Sequence, residues 1–328
     1  MTNILDETPK QMTIAVSAGS LFDMREGKEI FAKQGQDAYV EYMREHENDV
    51  LPPGAAMRFV QKLNRFNTHI RLARHPVRIV LYTGNNQIST MRILQSIEEY
   101  GLDIHQAAIL AGHSRNINLL KKYEPDLYLT SNAEFAAQVQ ASGIPAAVIG
   151  APCNDNCAVA ANDLLPLHIA YDFDGVLGDQ SSDILFAEGG VESVIAAERG
   201  KALSEFAEGP HMKFLLRLAW LQSCMEEADG VDLLKLSLIT ARNFNLASRV
   251  LQTINKISQI TWDNMFFMNG EPKWEILEEI KPDIYFDDSS KEIGMAQNFV
   301  NSARVVNGWA APTMSDRPAP RPEGPPAP

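Results

Sequence analysis

The stretch from His168 to Asp179 reads HIAYDFDGVLGD, and the fold turns on how it is read. An apolar run from Leu164 to Tyr171, interrupted by Pro166 and His168, leads into two acids one residue apart, Asp172 and Asp174, and then Gly175. A short apolar run closed by a turn residue predicts a buried strand of a parallel sheet. In such sheets ligands sit beyond the carboxyl ends of strands, which is where these acids emerge. A carboxylate there can attack phosphorus or offer a hard oxygen ligand to Mg²⁺. The competing reading is a strand end carrying two solvated acids.

Outward from this segment, the chain repeats itself. TIAVSAGSLFDM (Thr13–Met24) lies over HIAYDFDGVLGD at an offset of 155 residues (168 − 13). EIFAKQG (Glu29–Gly35) lies over ILFAEGG (Ile184–Gly190) at the same offset. VRIVLYTGNN (Val77–Asn86) lies over LKLSLITARN (Leu234–Asn243) at 157 (234 − 77), as does KKYEPDLYLTSN (Lys121–Asn132) over EEIKPDIYFDDS (Glu278–Ser289). These collinear matches predict two tandem α/β domains of one ancestry: residues 1–150, a linker over 151–163, and residues 164–308. A proline-rich end (309–328) reads as a disordered tail.

Each half has the same grammar. After the first strand comes a helical stretch (Glu29–Leu72 and Asp183–Glu227), the latter expected to form a cap over about 180–233. Second strands are predicted at Arg78–Thr83 and Lys235–Thr240, third strands at Ala107–Ala111 and Met265–Asn269, and fourth strands at Asp126–Thr130 and Asp283–Asp287. Helices are predicted between them. Strands alternating with helices argue a parallel, doubly wound sheet. Phe214, Leu215, Leu218 and Leu221 recur at helical spacing and are read as packing.

Composition sets the outer limits. Hydrophobic residues at 45% and charged residues at 22% are ordinary for a globular protein. A net charge of −13 argues against nucleic acid as a partner. Three cysteines, Cys153, Cys157 and Cys224, match no zinc spacing and read as reduced thiols, with a linker disulfide as the alternative. No run of 18 apolar residues and no signal-peptide layout is present, which predicts a soluble, cytoplasmic protein with no membrane partner.

Along the second half, successive strand ends deliver Asp172 and Asp174, Thr240, Lys273, and then Asp287 with Asp288. In this order they resemble the four motifs of the haloacid dehalogenase-like (HAD) phosphohydrolases: DFDGV, the Thr of SLIT, the Lys of EPK and the acidic pair of YFDDSS. The whole chain is similar to the cytosolic 5′-nucleotidase type I family, through IAVSAGSLFDM, YMREHENDVLPPG, IEEYGLDI, EGPHMKFL, SLITAR and PDIYFDD. The resemblance implies a Mg²⁺-dependent hydrolase of nucleoside 5′-monophosphates. Asp172 would be the nucleophile and Asp174 the proton donor and later the base. Thr240, Ala241, Arg242, Asn243 and Lys273 would hold substrate, and Asp172, Asp174, Asp287 and Asp288 the metal, with Asp288 favoured over Asp287 for direct contact. Asp179, Ser181, Ser182, Asp183 and Lys213 are polar residues expected near the mouth of the site.

Type I nucleotidases carry Gly between the two acids and Ala after them, where this chain has Phe173 and Gly175. That departure leaves the chemistry intact and keeps two alternatives open: a phosphatase for another small phosphomonoester such as a sugar phosphate, or a nucleotide-binding regulatory protein with vestigial catalysis.

The first half carries Ser17 opposite Asp172, Gly19 opposite Asp174, and Thr130 and Ser131 opposite Asp287 and Asp288, while Thr83 matches Thr240. It reads as a catalytically dead copy that packs against the other, contributes to the nucleotide pocket or holds a regulatory nucleotide, with scaffolding alone an equal alternative. Phe22, Tyr82 and Tyr123 read as core rather than base-stacking residues. The chain is compatible with a monomer or a homo-oligomer.

Overall fold

The computed structural model describes residues 11–70, 75–84, 87–110, 116–151, 166–199, 204–226, 233–257 and 260–306. Its first part runs β1 (Met12–Val16), α1 (Ala18–Leu21), α2 (Arg25–Gln34), α3 (Gln36–Glu45), α4 (Met57–His69), β2 (Val77–Thr83), α5 (Gln87–Glu99), β3 (Gln106–Ile109), α6 (Ile117–Lys121), β4 (Leu127–Thr130), α7 (Ala133–Ala141) and β5 (Ala146–Ile149). The second runs β6 (Leu167–Tyr171), α8 (Ser181–Arg199), α9 (Met212–Glu226), β7 (Leu234–Thr240), α10 (Ala247–Asn255), β8 (Asn264–Phe267), α11 (Trp274–Ile280), β9 (Ile284–Asp287), α12 (Ser290–Ala296) and β10 (Ser302–Val305). Cys153, Cys157 and the proline-rich tail lie outside the described residues.

These strands form one sheet in the order β3-β2-β1-β4-β5-β10-β9-β6-β7-β8. Neighbours are parallel except β5 and β10, which run antiparallel and pair Ile149 with Ala303 and Ala147 with Val305. Outward from that joint the order is the same on both sides. The second, third and fourth strands of each half stand within two residues of their expected limits, and β6 begins three residues into the apolar run that started at Leu164. β5 and β10 were not foreseen, and they correct the picture of two wholly parallel sheets: the sheet is continuous through one antiparallel pair. Four residues each (AAVI and SARV) are too short to show a period. Each would otherwise be an open edge, and their pairing satisfies both rows of backbone groups.

The central strands are buried on both faces, as a parallel sheet sandwiched between helices requires. β1, β4 and β9 contain only buried residues, and β6 only His168 as a half-buried exception. In α9, Phe214, Leu215, Leu218 and Leu221 join the core cluster that holds Ile169, Tyr171, Leu236 and Phe286. α9 is therefore core, while α8 and Phe206 of the expected cap meet Arg242 at the strand ends. α8 is broken at Gly189–Gly190, where Gly190 takes φ +66°.

Two ion pairs cross between the halves at mirrored places, one buried and one half-buried. Asp283, just before β9, accepts the His168 N–H at 2.7 Å and pairs with Lys62 of α4 at 2.8 Å and with Arg58. Asp126, just before β4 and 157 positions earlier, accepts the Thr13 N–H at 2.8 Å and pairs with Arg217 of α9 at 2.7 Å. In each half one aspartate thus ties the first strand to the fourth and to a helix of the other half.

His211 lies at the same seam, fully buried against Tyr171, Phe214 and Phe286, with Nε2 3.4 Å from the Ala146 carbonyl of β5. Burial lowers its pKa from 6.5 to about 4. The unfolded chain therefore takes up the proton first as pH falls. The stability held above pH ~6.5 is lost by pH ~4, about 3 kcal/mol at most for this group. Urea unfolding followed from pH ~7 to ~4.5 should show a smaller loss in His211→Gln than in wild type.

Candidate active site

The register of the sheet brings the second half's acids together. Asp172 follows β6, and its N–H donates to the Phe286 carbonyl at 2.8 Å, extending the β6–β9 ladder by one step. That bond sets Asp172 beside Asp287, the last residue of β9. Lys273 stands at the start of α11, and its ammonium lies 2.9 Å from Asp172 Oδ1 and 2.8 Å from Asp287 Oδ2. All three are buried. Tyr285 donates its hydroxyl to Asp287 Oδ2, and the Ser289 N–H donates to Oδ1 at 2.7 Å. Asp288 is half-buried and accepts from Gln180 Nε2 at 2.8 Å through Oδ2.

Carboxylate oxygens of Asp172, Asp287 and Asp288 all lie within 4.8 Å of one another. Burial pushes Asp172 well above the usual carboxylate range; the Lys273 ammonium opposes this, and Asp287 and Asp174 add to it. Burial likewise raises Asp288, with Gln180 opposing. At Lys273 burial favours the neutral amine, but Asp172 and Asp287 outweigh it and hold the ammonium pKa above its ordinary value. One ammonium against three converging acids leaves the pocket short of positive charge. Hard oxygen ligands in that state fit a divalent cation such as Mg²⁺.

Gly175 makes room for this cluster. It takes φ +68°, and a Cβ there would stand 2.2 Å from Asp288 Oδ2. Gly175→Ala is expected to displace the Asp288 carboxylate and cut any metal-dependent turnover at least tenfold while the fold survives; a steady-state assay beside a thermal melt checks both.

A second cluster holds Asp174. Arg242 grips it with two bonds, Nε to Oδ2 at 2.8 Å and Nη2 to Oδ1 at 2.6 Å, a planar fork on a carboxylate. Nη2 also donates to Ser182 Oγ of α8, and Nη1 faces Glu198 Oε1 at 3.9 Å. Glu198 is tied in turn to Arg249 at 3.0 Å. Phe206 lies between the two guanidiniums, 4.5 Å from Arg242 Cζ and 3.7 Å from Arg249 Cζ, and the ring of Phe173 meets it edge-on at 5.1 Å. Phe173 is therefore core, as its position between the acids suggested. Arg242 links the strand-end loop to α8 at the rim of the site.

The remaining expected residues divide. Thr240 ends β7 fully buried, its Oγ1 accepting the Arg242 N–H at 3.3 Å. Ala241 is exposed, and its carbonyl accepts the Gly270 N–H. Asn243 caps the 3₁₀ turn Phe244–Leu246 through the Asn245 N–H and bonds Asn269 at 2.6 Å, so its amide serves the loop. Asp179 accepts from Ser181, and Lys213 reaches the Gly143 carbonyl. Gln180, Glu198 and Tyr285 were not anticipated. Gln180 is adjacent to quoted polar residues, but nothing local marks Glu198, which a break in α8 carries back to the site.

The 5′-nucleotidase family model matches residues 4–312. Human cytosolic 5′-nucleotidase 1B is 31% identical over 293 residues, covering 87% of this chain and 47% of that protein. The chain thus spans about half the length of this curated relative. No solved structure gives a significant match. With the family model over nearly its whole length and the relative over most of it, the chain belongs to the 5′-nucleotidase family.

Proposed function

We propose that the chain hydrolyses nucleoside 5′-monophosphates to nucleoside and phosphate, with Asp172 as nucleophile. The observation that carries this is the placement of Asp172 by its own backbone N–H beside Asp287, with Lys273 bridging both. A Asp172 carboxylate oxygen attacks phosphorus, and the P–O5′ bond breaks as the P–O bond to Asp172 forms. Asp174 gives a proton to the leaving 5′-oxygen, because an alkoxide is a poor leaving group. Water then attacks phosphorus, Asp174 takes its proton, and phosphate leaves with Asp172 restored. Lys273 and the backbone after Thr240 would stabilise charge on the phosphoryl oxygens. Both Asp174 oxygens are held by Arg242. An arriving phosphate dianion offers that guanidinium another partner, which frees Asp174 for proton transfer and leaves Arg242 on the substrate.

Asp172, Asp288 and the Asp174 carbonyl would hold Mg²⁺, with Asp287 behind them. Both Asp287 oxygens are engaged by Lys273, Tyr285 and Ser289, which favours Asp288 for direct contact. Bound there, the cation would offset the repulsion between the phosphomonoester and the attacking carboxylate. Among the described residues no helix is long and apolar enough to cross a membrane. The relative is named as cytosolic, and the same compartment is our reading for this chain.

Tandem duplication is the best account of the mirrored strand order and of the paired Asp126 and Asp283, with residues 1–150 as the degenerate copy and 164–308 as the working one. A panel of nucleoside monophosphates and sugar phosphates, assayed with Mg²⁺ and again with EDTA, tests the functional reading. Release from nucleotides alone, lost in EDTA, is expected. Release from sugar phosphates alone would keep the chemistry and discard the nucleotide.

A further inference from the structure

The ends of β1 and β4 carry hydroxyls where β6 and β9 carry acids, and with Thr83 at the end of β2 these hydroxyls line a cavity of ≈ 240 Å³. Ser17, Thr83, Thr130 and Ser131 line it with Gly19 and Lys28. Thr83 and Thr130 are almost fully buried. Lys28, from α2, brings its ammonium to 3.2 Å from Ser131 Oγ. Among the described residues, none that lines the cavity is acidic. The nearby Asp23 is gripped by Arg25 through both its oxygens, at 2.9 and 2.6 Å.

The chemistry of this lining is that of an anion receptor. Hydroxyls and an ammonium donate to phosphate oxygens, and among the described residues lining this first cavity no carboxylate repels a dianion or requires a metal. Gly19 keeps the space open: a Cβ there would stand 2.8 Å from Ser131 Oγ and 3.1 Å from Lys28 Nζ. A second cavity of ≈ 340 Å³ shares Met24 and Tyr39 with the first and is walled by Tyr42 and His46, whose rings lie 4.4 Å apart. A phosphate in the first cavity with a flat organic group reaching past Tyr39 would fill both.

We propose that residues 17–19, Lys28, Thr83 and 130–131 form a second, metal-independent binding site for a phosphomonoester. The site is separate from Asp172, and its binding needs neither the cation nor turnover, so it stands or falls apart from the nucleotidase reading.

The test is calorimetric titration of the whole protein in EDTA with inorganic phosphate and with AMP. Wild type and Lys273→Met should bind alike, and Lys28→Met should bind at least about tenfold more weakly, as loss of a charge-assisted contact implies. AMP should bind more tightly than phosphate if the aromatic cavity is used. Lys28 is exposed, so the variant should fold; Gly19→Val, which fills the cavity, should lose binding as well. Absence of binding in wild type overturns the proposal. So does binding that survives Lys28→Met and Gly19→Val but fails in Lys273→Met, which would assign the anion to the acidic site.

Discussion

Asp172→Asn is expected to lower phosphate release by at least about 10⁴-fold, because removing a nucleophile closes the covalent route as a whole. The substitution keeps the size of the side chain and the backbone bond to Phe286, so the β6–β9 ladder should hold. It also removes one of two buried acids facing Lys273, and Asp287 remains as that ammonium's partner. Stability should therefore change far less than activity. A melt within a few degrees of wild type beside activity at background is the expected pair of results. Undiminished activity would mean that Asp172 is not the nucleophile.

Asp283→Asn is expected to cost about 3–5 kcal/mol of stability, the range for removing one partner of a buried charge pair. Its carboxylate is 1% exposed and faces Lys62 and Arg58, which are 5% and 15% exposed. Without it two cations from α4 are left against a neutral amide. The melting temperature should fall by roughly 10 °C in a chain of this size. Arg217→Gln, at the mirrored pair, should cost less because Arg217 is 29% exposed. A fall in Asp283→Asn of under about 2 °C would show that the seam is held by packing and the β5–β10 ladder alone.

How far the sequence speaks depends on whether a feature is local. The DFDGV turn, the strand ending at Thr240 and the PDIYFDD run each join an apolar strand to its functional residue within a few positions. They were legible, and the register then brings Asp172, Asp287 and Lys273 together. The collinear matches between the halves are visible for the same reason, since they preserve spacing, and tandem duplication is our proposal for them. β5 and β10 were not, because four-residue strands show no period and their partners lie more than 150 positions away. Nor was the grip of Arg242 on Asp174, or the return of Glu198 to the rim, because these depend on where α8 breaks and how Phe206 inserts. Asn243 shows the reverse case. Proximity to Thr240 suggested substrate contact, yet its side chain caps a turn.

The most direct test of the central claim is acid quenching during turnover of nucleotide labelled with ³²P in its phosphate, followed by peptide mapping of the protein. The account predicts acid-stable, base-labile label on the peptide that contains Asp172, absent from Asp172→Asn. An active enzyme with label on a different residue, or with none at any quench time, would contradict it.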